Sequence, residues 1–223
     1  MSGVVGAPPA EALLACCAGR FVPSFRNRPV GQETVRASRI AGGGARLSAE
    51  TEIVIGRFAL RQSVVADFDR ALRPRSCRVT ATSGSQELSL EVRLEDDRAV
   101  ACHRWDGRSR SRIQPLTHEP LLLVDNCFSL HALAAIVAHR RVGEGPVFQS
   151  IPAFEELAVT APGTAPVLLG GSELAPPAIT LHLTPDLQEH AWIAGAWVER
   201  LVIPQTQIRV DWLRNGRTEG GSS

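Results

Sequence analysis

The sequence predicts a mainly β protein: one large curved antiparallel sheet, a half-barrel or open barrel of about ten or eleven strands, around one central α-helix, with a short helix at the N-terminus. Three observations predict it. Apolar and polar residues alternate with a period of two over many short runs separated by turn residues. Only one long segment, about 126–141, has clear helical character. No Ser/Gly-rich or charged linker interrupts the 223 residues, so 1–213 reads as a single β-rich domain and the polar tail 214–223 as disordered.

The first ordered element expected is a short helix over about 9–18. Leu13, Leu14, Ala15 and Cys16 loosely resemble a lipoprotein cleavage box, but the residues before them lack a positive region and include two prolines and a Glu. A cytoplasmic location is therefore expected ahead of a periplasmic lipoprotein. The cysteines agree. Cys16, Cys17, Cys77, Cys102 and Cys127 are odd in number and form no CxxC, which suggests neither a disulfide framework nor a zinc cluster. A net charge of +1, with both signs interspersed, gives no reason to expect nucleic acid or an anionic membrane as partner.

Residues 21–29 read as an irregular lead-in. Strands are expected over 32–40, 45–55, 57–68, 77–82, 87–95, 98–105 and 108–116, punctuated by the triple glycine at 42–44, by Gly56, by Arg73-Pro74-Arg75 and by Ser83-Gly84-Ser85. The clearest is 87–95, where Leu88, Leu90, Val92 and Leu94 alternate with charged and polar residues. Asp106-Gly107 is a strong hairpin signal. Past the helix, further strands are expected over 154–160, 167–174, 179–183, 190–193, 197–203 and 207–213. Short connections make consecutive strands neighbours, a meander on either side of the helix.

Asp125 and Asn126 are suitable N-caps for that helix. From Cys127 to His139 the segment has no Gly or Pro and contains Ala132, Ala134, Ala135 and Ala138. His139, Arg140 and Arg141 suit its C-terminal end, and Gly143 supplies a stop. Phe128, Leu130, Leu133, Ile136 and Val137 leave no broad polar face, so the helix should be buried. It is too short to span a bilayer, and no stable membrane insertion is expected. Cys127 and His131, four apart, stand on one ridge.

The order of a Gly31-Gln32-Glu33 opening, a strand meander, a helix after Asp125, and a second meander ending in Trp197-Val198 to Ile203-Pro204 resembles uncharacterised bacterial proteins with the half-barrel fold of the lipoprotein carriers LolA and LolB. The resemblance covers about 31–212. It implies an unclosed antiparallel barrel whose concave face accepts acyl chains or another hydrophobic guest. The same fold includes a cofactor-free enzyme of pigment biosynthesis.

No phosphate loop, GxGxxG, HExxH or GxSxG is present. No metal site and no cofactor are expected. Candidate catalytic residues are Asp125, Cys127, His131 and Glu199: His131 as acid–base, Asp125 or Glu199 as its acidic partner, Cys127 as a thiolate stabilised by the free N–H groups of the helix start. Candidate ligand-binding residues are Phe128 and three places where Trp lies two residues from a polar partner: His103 with Trp105, His190 with Trp192, and Trp197 beside Glu199. The expected function is binding of a hydrophobic or amphipathic small molecule between sheet and helix. The alternatives are a cofactor-independent isomerase, cyclase or dehydratase using that cavity, and a structural or partner-binding β-domain without one. A homodimer through the sheet edges is a further expectation.

Overall fold

The structure, a computed structural model, describes residues 18–141, 147–161 and 164–214. The N-terminal helix expected over about 9–18, the stop at Gly143 and the tail beyond residue 214 lie outside the described residues. The first half supplies β1 (Gly19–Phe25), β2 (Arg28–Pro29), β3 (Gly31–Arg39), β4 (Ala45–Ile55), β5 (Phe58–Phe68), β6 (Pro74–Ser83), β7 (Gln86–Leu94), β8 (Arg98–Trp105), β9 (Arg108–Pro115) and β10 (Glu119–Leu122). The helix α1 (Phe128–Arg141) follows. The second half supplies β11 (Val147–Ile151), β12 (Glu155–Thr160), β13 (Val167–Leu169), β14 (Ser172–Leu174), β15 (Ile179–Thr184), β16 (Leu187–Ala194), β17 (Trp197–Ile203) and β18 (Ile208–Arg214).

The protein is mainly β, and sixteen of these strands form one large sheet that does not close into a barrel. The sheet runs β10-β11-β12-β15-β16-β17-β18-β1-β3-β4-β5-β6-β7-β8-β9, with β2 paired to β1. Four expectations are corrected. The sheet holds sixteen strands in place of about ten or eleven, because the lead-in and the segments flanking the helix are strand as well. Most of the lead-in 21–29 is strand, turning at Arg26 and Asn27, because Gly19 to Phe25 pairs along its whole length with β18 and so joins the two meanders. The sheet is mixed, because β10 and β11 pair in parallel; the helix between them is the crossover that a parallel pair requires. The run expected at 167–174 is a separate two-stranded hairpin, folded at Gly170 and Gly171, which take φ of 56° and 83°.

Residues opposite one another on antiparallel neighbours share a face. One such row, Val35, Ala49, Val64, Val79 and Leu90, is buried across five strands from β3 to β7. The helix packs against β3, β10, β15, β16 and β17, and every residue from Phe128 to Ala138 is buried. Eleven successive buried positions leave no solvent-facing stripe, as the all-round apolar sequence requires. Its last turn is held by an ion pair from Arg141 to Glu119 on β10. Among the described residues no helix is long and apolar enough to cross a membrane.

Candidate functional site

The start of the helix is built from the opening of β3. Gly31 lies so close to β4 that a Cβ there would meet the Glu52 carbonyl oxygen at 2.0 Å. Two residues on, Glu33 points to the helix side and is fully buried. Its Oε2 accepts from the backbone N–H of Phe128 at 2.8 Å and from the Thr51 hydroxyl at 3.0 Å, and its Oε1 accepts from the N–H of Ser129 at 2.8 Å. The cap is thus a carboxylate from a distant strand, satisfying N–H groups the helix cannot satisfy itself. Burial raises the Glu33 carboxyl above its ordinary range, against the lowering effect of these hydrogen bonds.

Asp125 and Asn126, expected as caps, instead form a turn. Cys127 N–H donates to the Val124 carbonyl at 3.0 Å, and Asn126 takes φ of 60°, a left-handed conformation Asn tolerates. Gln62 on β5 secures that turn, its side-chain amide donating to the Asp125 carbonyl at 3.1 Å. Cys127 is fully buried beside the cap. Burial raises its thiol well above the ordinary value and the Glu33 charge raises it further. Two of the N–H groups expected to hold a thiolate, those of Phe128 and Ser129, donate to Glu33 instead, while the Leu130 N–H and the Ser129 hydroxyl act on the sulfur in the lowering direction without outweighing burial.

His131, one turn further, meets Glu189 of β16, Nδ1 to Oε2 at 2.7 Å. The acidic partner is therefore neither Asp125 nor Glu199. Burial lowers the His131 pKa, but the charge and hydrogen bond of Glu189, with the charges of Asp125 and Glu33, outweigh it and leave the value raised. His131 Nε2 and Glu189 Oε1 are buried without a protein hydrogen-bond partner. Glu33 and Glu189 were both legible as anomalies, each an acid in phase with apolar residues: Glu33 with Val35, Glu189 with Ala191.

The row that caps the helix continues across the sheet. Glu33, Thr51, Gln62, Ala81, Leu88 and Trp105 are successive partners from β3 to β8. At one end Glu33 is 0% exposed; at the other Leu88 and Trp105 are 39% and 55% exposed. Over this open end lies a groove of about 580 Å³, floored by Leu60, Val79, Leu88 and Leu90 and walled by Trp105, His103 and the segments around Asp125 and Pro152.

The structure thus brings His103, Trp105 and Asp125 to one groove and leaves the other candidates elsewhere. Phe128 and His131 are in the packed helix, and Cys127 is buried immediately before its first residue. His190 and Trp192 make an edge-on ring contact at 6.5 Å; Trp192 donates to the Ala175 carbonyl, and His190 bonds Thr180. Trp197 is buried against Phe21 and Trp212. Exposed Glu199 lies with Trp197 along a second depression near the chain end, shared with Arg209 and Asp211.

Comparison with protein-family models, with curated proteins and with solved structures gives no match.

Proposed function

We propose that the protein binds a hydrophobic or amphipathic small molecule in the groove over Leu88 and Trp105, with the sheet acting as an unclosed half-barrel whose helix fills only part of the inner face. The single observation that carries this reading is the Glu33-to-Trp105 row. One continuous face passes from closed packing under the helix to exposed apolar side chains under a groove. Its volume lies within the range of small-molecule sites, and an apolar floor with a few polar groups at the margin is their usual lining. The sheet's curl is supported by β10, which forms one end of the strand order yet packs against β6, the fourth strand counted from the other end. Binding is favoured over acid–base catalysis because the buried ionisable pair of His131 and Glu189 is not among the groove's lining residues.

The test is a titration with N-phenyl-1-naphthylamine, a neutral apolar probe whose fluorescence rises out of water. Saturable binding, competed by dodecanol and lost in Leu88→Asp with the melting temperature unchanged, is the expected result. Absence of saturable binding, or binding indifferent to Leu88→Asp, overturns the proposal.

A further inference from the structure

Strand β9, the sheet edge beside the groove, reads Arg108-Ser109-Arg110-Ser111-Arg112. Its register on β8 sets Arg108 opposite Trp105, Arg110 opposite His103 and Arg112 opposite Ala101. The three arginines therefore share the face of the groove, and the serines take the other face. The turn that fixes this register is the two-residue hairpin at Asp106 and Gly107, with φ of 46° and 76°.

Arg112 is anchored. It donates to the Ala153 carbonyl at 3.0 Å and lies over the Phe154 ring at 4.9 Å from the centroid. Among the described residues Arg108 and Arg110 make no hydrogen bond or ion pair, whereas Arg46, Arg75, Arg78, Arg93, Arg98 and Arg200 on other strands each meet a carboxylate. A recess of about 560 Å³ lies between Arg108, Arg110, His103 and Trp105 and shares the last two with the apolar groove. The carboxylates lining the two are Asp106 at the turn and Asp125 at the opposite wall. Three guanidinium groups against two carboxylates leave an excess of positive charge, placed at one end of an apolar floor.

We infer that the guest is an anionic amphiphile, an acyl chain ending in a carboxylate, with its chain over Leu88 and Leu90 and its head between Arg108 and Arg110. The inference rests on the groove reading above and adds the head group to it. Guanidinium is suited to this task, because its planar donors match a carboxylate in pairs and its weak hydration eases pairing beside an aromatic ring.

The experiment displaces N-phenyl-1-naphthylamine from the full chain with dodecanoate, dodecanol and dodecyltrimethylammonium at matched ionic strength. The expected order is dodecanoate tightest and the cation weakest. In the double variant Arg108→Gln/Arg110→Gln dodecanoate should weaken by about tenfold while dodecanol is unchanged. Equal affinities for dodecanoate and dodecanol, or a double variant that binds dodecanoate as wild type does, overturn the head-group assignment but leave the groove in place; the arginines are then charges that guard an open edge. Failure of all three to displace the probe removes the groove reading and this inference together.

Discussion

Glu33 and Phe128 are 95 residues apart in the chain and are joined by a 2.8 Å hydrogen bond from the Phe128 N–H to the Glu33 carboxylate. That bond, with its companion to Ser129, ties the first meander to the start of the helix. It also assigns a purpose to both defined positions of the Gly31-Gln32-Glu33 opening. Gly31 permits the close approach of β3 to β4, and Glu33 reaches from β3 to the helix.

Replacing Glu33 by Ala leaves two N–H groups buried without an acceptor. Each such loss costs about 1–3 kcal/mol, partly offset because a buried carboxylate is no longer desolvated, so a net loss of roughly 2–4 kcal/mol is expected. Glu33→Gln, which keeps one acceptor oxygen, should fall between. Urea unfolding measures this, with the exposed Glu52→Ala as control. A Glu33→Ala protein within 0.5 kcal/mol of wild type, taken as about the spread of neutral surface changes, contradicts the cap.

The His131–Glu189 pair sets a pH dependence. The folded pKa of His131 is raised above its ordinary 6.5. Its contribution to stability is therefore full below 6.5 and is lost as pH rises through the folded value. Glu33 acts in the same direction at lower pH: its raised carboxyl makes stability fall as pH rises above its ordinary 4.5. The melting temperature should decline from mildly acid to alkaline pH, and the upper part of that decline should vanish in His131→Gln. His131→Ala alone strands a buried Glu189 and should cost about 3–5 kcal/mol, more than the double change His131→Leu/Glu189→Leu. A flat wild-type profile above neutrality, or a double variant less stable than the single, refutes the charged pair.

The thiols should differ in reactivity. Burial pushes Cys77 up to about 12 and raises Cys127 as well, while Cys102 is partly exposed beside Ser111. Iodoacetamide at pH 8 followed by peptide mass mapping should find Cys102 alkylated and Cys77 and Cys127 protected until urea is added. Rapid native-state labelling of Cys127 would restore it as a candidate nucleophile.

Local patterning determined a great deal here. The alternation of Leu88, Leu90, Val92 and Leu94 announced β7, Asp106-Gly107 announced the β8–β9 hairpin, and the largely apolar run without Gly or Pro after Cys127 announced a buried helix. These are short-range properties, because side-chain period and turn chemistry are set within a few residues. Only the tertiary structure decided the pairing of β1 with β18, the parallel β10–β11 crossover, the capping of the helix by Glu33 and the meeting of His131 with Glu189. Each depends on which distant strand lies alongside, which no local period encodes. A sequence can show that an acid stands in an apolar phase; the fold alone decides which donor it meets.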